Sequence, residues 1–201
     1  MLTLFHAPRS RSTRLLWLLE ELGLPHDVRY VSIRYNDSSG DGPDPANPHP
    51  DRKVPALRHD DALVTESAAV ALYLAELAPQ AELAPAIGAA DRGAFLTWLS
   101  WIEGECGPAI ASRFCVAPGD PEPAAFTAAL RRIEAALARG PFLLGARFSA
   151  ADVMLGGALD WARPVLPAAG VIAAYSARLA ARPAYVRAMA RDAAPQAAAA
   201  A

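Results

Sequence analysis

The residues whose types and spacing can do chemistry fall in two short stretches. One runs from Lys53 to Ser67, Lys-Val-Pro-Ala-Leu-Arg-His-Asp-Asp-Ala-Leu-Val-Thr-Glu-Ser. Pro55 has no N–H to give a strand neighbour, so Val54 is expected at an edge where its own N–H and C=O can pair with an extended peptide. Ser67 is of a type favoured as a helix N-cap, and a helix start offers free N–H groups and a positive dipole end to a carboxylate. Glu66, beside it, can pair with an ammonium group. Together these describe a shelf for a small peptide with a free amine and a free carboxylate at one end. The other stretch, His6-Ala7-Pro8-Arg9-Ser10-Arg11-Ser12-Thr13-Arg14, gathers hydroxyls, an imidazole and three guanidinium groups where a strand gives way to a helix.

The elements that must position these groups can be read in order. Leu2 to His6 is β-prone and ends at Ala7-Pro8; Leu15, Leu18, Leu19 and Leu22 then repeat at helical spacing, with Glu20 and Glu21 on the expected wet side and Gly23 closing the helix. Val28 to Ile33 reads as a second strand, completing a βαβ unit with a parallel crossover. Asn36 to Asp51 is rich in Gly, Pro, Asp, Asn and Ser and is expected to be irregular. Two strands joined by His59-Asp60-Asp61 follow, then a helix from about Ser67 to Leu77. The fold class is α/β thioredoxin-like (βαβ-ββα, a mixed four-stranded sheet) over residues 1–78, without the Cys-x-x-Cys of redox members, then a connector over 79–88 and an all-α part over 89–201.

In that second part Ala90 to Val116 predicts a long helix bent at Gly107-Pro108, and Pro121 to Arg139 another, ended by Gly140. Ser149-Ala-Ala-Asp152 is a capping box opening a helix to about Ala162, flanked by Phe148 and Val153 as a hydrophobic staple. Helices near Val171–Ala181 and Pro183–Arg191 complete it, and the Ala-rich end after Pro195 reads as a frayed tail.

A net charge of −2 gives no reason to expect a nucleic-acid surface or attraction to an anionic membrane. No apolar run approaches the roughly 18 residues of a membrane span, and Met1 to His6 lacks the build of a signal peptide, so a cytoplasmic protein is expected. Cys106 and Cys115, nine residues apart, read as two reduced thiols. No Cys/His cluster has metal-ligand spacing, so no metal is expected.

The order and spacing of Lys53-Val54-Pro55-Ala56-Leu57, Glu66-Ser67 before a helix, and Phe148-Ser-Ala-Ala-Asp152 opening another resemble the cytosolic glutathione transferase superfamily, in particular serine-type, bacterial-like members. The resemblance covers nearly the whole chain. It implies that Pro55 is a cis-proline, that Val54 bonds the cysteinyl backbone of glutathione, that Glu66 and Ser67 hold the γ-glutamyl amine and carboxylate, and that Lys53 reaches the glycine carboxylate with help from His49 or Arg52. Ser149 and Asp152 would be structural. It also implies glutathione as co-substrate and a homodimer.

A cysteine-like thiol has a pKa of roughly 8.5, so a transferase must stabilise its thiolate; a hydroxyl donor and a helix N-terminus aimed at the sulfur would do so. Counted from Pro8 and from Arg14, Ser10 falls at the family's activating hydroxyl. Counting back from Gly23 shifts the register by one, and Ser12 is the alternative, with a competing role as N-cap. His6 stands where tyrosine-type members carry tyrosine. An electrophile site would draw on Pro8, Arg9, Trp101, Glu105, Ile110, Arg113, Phe114 and Trp161. The expected reaction is conjugation of the glutathione thiolate to an electrophilic small molecule. The alternatives are a glutathione-dependent isomerase or dehalogenase, though the Ser-Ser-Cys signature of the maleylacetoacetate isomerase branch is missing, and a non-catalytic binding protein.

Overall fold

The computed structural model describes residues 1–35, 37–117 and 119–199, with only the backbone described over 194–199. Asn36, at the start of the expected excursion, and Ala200-Ala201, at the end of the expected tail, lie outside the described residues. Two compact units are formed, one by residues 1–81 with 182–201 and one by residues 82–181.

In the first unit β1 (Leu2–His6), β2 (His26–Tyr30), β3 (Ala56–His59) and β4 (Ala62–Thr65) make a four-stranded sheet in the order β2-β1-β3-β4. β1 runs parallel to β2 and antiparallel to β3, and β3 is antiparallel to β4, which is the expected mixed sheet. β2 begins and ends earlier than Val28–Ile33, because His26 to Tyr30 are the residues opposite β1 in the parallel register. Helix α1 (Thr13–Leu22) follows β1 and stops at Gly23, whose φ of 64° is a left-handed conformation that glycine adopts without a Cβ penalty. Helix α2 (Ser67–Leu77) follows β4.

The leucines of α1 are buried, and so are Leu16 and Trp17, which a one-sided helix would expose. The cause is the last helix, α8 (Pro183–Ala199), which packs along α1. Trp17 meets Tyr185 edge-on at 5.1 Å. Glu20 and Glu21 are therefore ion-pairing residues rather than a wet face. Glu21 takes the Arg182 guanidinium through Nε at 2.6 Å and Nη2 at 2.8 Å, and Glu20 takes Arg187 at 2.9 Å and Arg191 at 2.7 Å. Burial pushes the Glu20 carboxyl up, but its bonds to Arg187 and Arg191 outweigh that and hold it below the usual range. The last helix thus counts with the sheet, where sequence grouped it with the other helices. It also continues past Arg191 to Ala199 where a frayed tail was expected, in keeping with alanine's helix propensity.

The second unit holds α3 (Arg92–Trp101), α4 (Gly107–Phe114), α5 (Ala124–Leu137), α6 (Ala150–Ala162) and α7 (Val171–Ala180). The irregularity expected at Gly107-Pro108 is a π-helical turn over Ile102–Cys106, in which the Gly107 N–H reaches back five residues to the Ile102 carbonyl. Pro108, with no N–H, cannot restore the regular ladder at the next position. At the end of α5, a Cβ on Gly140 would lie 2.6 Å from the Gly145 backbone, so only glycine permits that close approach.

α6 starts as the capping box requires. Asp152 Oδ2 accepts the Ser149 N–H at 2.9 Å and hydroxyl at 3.0 Å, while Oδ1 accepts the Leu143 N–H and the Tyr175 hydroxyl, both at 2.9 Å. The carboxyl is fully buried, and burial pushes it up against the pull of those four donors. Burial also raises the Tyr175 phenol well above its usual value. Asp152→Ala would strand buried donors that have no water to turn to. It is expected to cost about 3 kcal/mol, read as a lower denaturant midpoint with an unchanged slope.

Candidate functional site

The Val54–Pro55 peptide is cis. Pro55 is buried and lies just before β3 rather than in it. Val54 packs its side chain on Phe5, Val31 and Ala56, while among the described residues its main chain takes no hydrogen-bond partner. The segment is propped from behind by Asn47, which is fully buried: its side-chain amide donates to the Lys53 carbonyl at 3.0 Å and its oxygen accepts the His49 N–H at 3.0 Å. His49 is buried too and spends Nδ1 on the Asp51 N–H at 3.0 Å. It is therefore part of the loop's frame, with only Nε2 left to offer. Arg52 folds back on the Asn47 carbonyl, and Lys53 is exposed with Asp51 3.3 Å from its ammonium group.

Ser67 is not the N-cap of α2. Glu66 occupies that place, its carbonyl accepting the Val70 N–H at 2.9 Å, and Ser67 is the buried first residue of the helix. Glu66 has φ of 67° and ψ of 123°, a region that non-glycine residues seldom enter and that costs on the order of 1–3 kcal/mol. This turn presents the exposed Glu66 carboxylate beside the start of α2, where the free N–H groups lie. Glu66 and the start of α2, the pair expected to hold an amine and a carboxylate, are set side by side by backbone conformation and not by side-chain capping.

The second stretch folds into a compact hydrogen-bonded loop. Ser12 holds the N-cap place of α1, but its side chain does not cap; it turns back to the end of β1. Ser12 Oγ lies 2.7 Å from His6 Nδ1 and 2.7 Å from Ser10 Oγ, and accepts the Ala7 N–H at 3.2 Å. Ser10 Oγ lies 2.7 Å from the Ala7 carbonyl and accepts the Ser12 N–H at 3.1 Å. Ser12 and His6 are fully buried and Ser10 half-buried. Tyr35 closes over the loop, its hydroxyl donating to the Pro8 carbonyl at 2.6 Å.

Asp192 of α8 enters this loop, and nothing in the local sequence announces it. Its carboxylate accepts the Arg9 N–H at 3.2 Å and the Thr13 hydroxyl at 2.6 Å. Oδ1 also lies 3.2 Å from His6 Nε2, an ion-pair distance off the straight line of a directed hydrogen bond. Arg9 adopts φ of 54°, which aims its N–H at Asp192 and leaves its side chain exposed.

Of the electrophile candidates in the helical unit, Trp101 and Glu105 line a groove of about 610 Å³ with Ser100, Gly104 and Arg132. The Arg132 guanidinium lies 4.5 Å from the Trp101 ring centre. Ile110 is buried core. Arg113 is held by Glu122 at 2.7 Å, and Phe114 and Trp161 form an exposed ring pair 4.8 Å apart. The candidates in this unit therefore do not converge on one cavity. Among the described residues no group of acidic, histidine or cysteine side chains could hold a metal ion, and no helix is long and apolar enough to cross a membrane.

A mixed sheet in this order, entered after a cis-proline and followed by α2, is a thioredoxin-like unit, here joined to a helical one. The family model described as glutathione S-transferase, N-terminal domain, matches residues 9–77, and that described as glutathione S-transferase, C-terminal domain, matches residues 120–193. Glutathione S-transferase GstA of Escherichia coli O157:H7 is 32% identical in an alignment 145 residues long that covers 67% of this chain and 71% of that protein. Solved structures of similar fold include a glutathione transferase from Methylococcus capsulatus, 32% identical with a TM-score of 0.78 over 96% of this chain and 98% of that one. A sphingomonad glutathione S-transferase complexed with glutathione is 31% identical, with a TM-score of 0.76 over 94% and 98%. The chain belongs to the cytosolic glutathione transferase superfamily.

Burial pushes the Asp192 carboxyl up, but the nearby His6 ring and the bonds from the Thr13 hydroxyl and the Arg9 N–H outweigh it and hold the group below the usual range. A carboxylate depressed in the folded state adds stability above its unfolded value, and that stability is lost as pH falls through the folded value. Tm is therefore expected to drop as pH falls below about 4. Asp192→Asn is expected to be less stable at neutral pH and to lose part of that acid dependence, measured by calorimetry across the acid range.

Proposed function

We propose that this protein is a glutathione transferase that conjugates the glutathione thiolate to an electrophilic small molecule. The observation that carries the reading is the open main chain of Val54 at the cis-proline, in a chain that belongs to this superfamily. Glutathione would lie as an extended strand beside Val54, its cysteinyl N–H and C=O completing the edge. Its γ-glutamyl end would meet the Glu66 carboxylate through the amine and the start of α2, at Ser67, through the carboxylate. Lys53 would reach the glycine carboxylate, giving up its contact with Asp51.

The sulfur would then be addressed by the hydroxyls at the start of α1. Neither serine attacks the electrophile; the glutathione sulfur is the nucleophile, and Ser10, with Ser12 behind it, supplies the hydrogen bond that favours thiolate over thiol. The α1 N-terminus adds its partial positive charge. The proton released from sulfur passes to solvent.

The remaining assignments belong to the same reading. Residues 1–78 serve as the glutathione-binding domain, and in the helical domain of 89–201 the groove lined by Trp101 and Glu105 is the candidate for the electrophile, Arg113 and Phe114 lying outside it. The protein works in the cytoplasm as a homodimer, so sedimentation is expected to give about twice the 21.2 kDa chain mass; a monomer mass would remove the dimer from this reading.

The test is retention on immobilised glutathione with turnover of a generic aromatic electrophile. Ser10→Ala is expected to bind glutathione and to lose roughly 10- to 100-fold in kcat/KM, the worth of a hydrogen bond to a charged atom. Glu66→Gln and Ser67→Ala are expected to raise KM for glutathione about 10-fold while leaving the titration of the bound thiol in place. Failure of the wild type to bind would end the proposal, and binding without turnover would make the protein a glutathione-binding member without transferase activity.

A further inference from the structure

Three contacts of 2.7 Å run in series through the loop after β1: His6 Nδ1 to Ser12 Oγ, Ser12 Oγ to Ser10 Oγ, and Ser10 Oγ to the Ala7 carbonyl. Each is too short to stand without a proton between its atoms. The carbonyl has none and the two hydroxyls supply two, so the third must sit on His6 Nδ1. The lone pairs agree. Ser12 Oγ then accepts from His6 and from the Ala7 N–H and donates to Ser10 at 2.7 Å, with the Ala7 carbonyl at 3.3 Å a longer second acceptor for the same proton, while Ser10 Oγ accepts from the Ser12 hydroxyl and N–H and donates to Ala7. Each oxygen is saturated with one donated and two accepted bonds. On the far side of the ring, Nε2 lies 3.2 Å from Asp192 Oδ1, off the line of a directed hydrogen bond, and a bare lone pair there would sit beside an anion.

We propose that His6 carries a proton on both ring nitrogens and, paired with Asp192, is the cationic origin of a one-way hydrogen-bond chain through Ser12 to Ser10, whose last proton turns from the Ala7 carbonyl to the glutathione sulfur. This rests on the glutathione reading above and deepens it. It makes Ser10 the group that touches sulfur, Ser12 a link whose proton is committed inward, and His6 and Asp192 positioning residues. The titratable groups facing the His6 ring are Asp192 from α8 and Tyr30 from β2, whose ring stands edge-on at 5.5 Å. Ser12 meets it from α1, and Arg9 gives the Asp192 carboxylate a main-chain N–H. A donor backed by a cation favours an anionic acceptor more than an isolated hydroxyl does. Thiol ionisation balances simply: the S–H bond breaks, its proton leaves to water, and the Ser10 proton stays on oxygen while bonding to S⁻.

The test uses the whole protein and two probes, glutathione and S-methylglutathione, which has no thiol proton. Nitrogen NMR of the ring-labelled histidines at neutral pH, with His6 assigned by loss of its signals in His6→Gln, is expected to show two protonated nitrogens at His6 before any ligand is added. Ultraviolet titration of bound glutathione is expected to place its thiol about one pH unit higher in Ser12→Ala and in Asp192→Asn than in wild type, roughly 10-fold less thiolate at neutral pH, with S-methylglutathione affinity unchanged. A bare Nδ1 at His6 overturns the chain, and this holds even if Asp192→Asn folds poorly. An unmoved thiol titration in Ser12→Ala overturns it as well. If wild type binds neither probe, the glutathione reading fails and its extension to sulfur fails with it, while the wild-type nitrogen spectrum separately decides the His6 charge.

Discussion

A charge buried midway along one helix sets the terms for the N-terminal unit. Asp192 is a carboxylate with little access to water, and a buried anion is tolerated only where donors replace its hydration. It finds them in the loop after β1, through the Arg9 N–H, the Thr13 hydroxyl and the His6 ring edge. Arg9 is held at positive φ, the Ser10–Ser12 hydroxyl pair is fixed between β1 and α1, and Asp192 ties the middle of α8 to this loop while Glu20 and Glu21 of α1 take Arg182, Arg187 and Arg191. The apolar face of α1 would be half uncovered without α8, and α8 is held against α1 by ion pairs as well as by ring packing. Packing and electrostatics are in this sense one interaction.

The helical unit solves a similar problem within a shorter stretch of chain. Asp152 is more deeply buried than Asp192 and gathers donors from Leu143, Ser149 and Tyr175. The direction of the effect differs, since burial prevails at Asp152 while bonding prevails at Asp192. The partners differ in charge: neutral N–H and O–H groups surround Asp152, whereas an imidazole faces Asp192. One carboxylate secures a helix start; the other joins a structural clamp to a polar loop beside the site.

That contrast explains what could be read from the residues alone. Gly23, the capping box at Ser149 and the β-run from Leu2 are local signals, because each feature is decided by residues within a turn or a strand of one another. The candidate shelf was legible as a pattern, Val54-Pro55 followed at fixed distance by Glu66-Ser67. Its mechanics were not, since Ser67 looks like a cap while Glu66 takes that place in a backbone conformation no residue type demands. Asn47 was hidden inside a stretch that reads as mere turn. Asp192 was the least accessible to reading: a lone acid among alanines and arginines near the chain's end gives no local hint that it bonds to residues some 180 positions earlier. The same long-range contact moved α8 from the helical group to the sheet and made Glu20 and Glu21 inward partners.

The candidate site thereby divides into a part fixed by backbone and a part fixed by protons. At Val54 and at the start of α2 the offered groups are main-chain N–H and C=O, whose directions follow from the fold and survive most side-chain changes. At Ser10 the offered group is a hydroxyl whose proton can point two ways, so geometry alone does not say whether it donates inward or out. What decides it is the occupancy of its neighbours. With both lone pairs of Ser10 Oγ filled by Ser12, the proton has only the Ala7 carbonyl or an incoming acceptor to choose between, and Ala7 lies within the protein in either case. The polarity of that hydroxyl is therefore set by His6 and Asp192, two residues that need never meet the ligand.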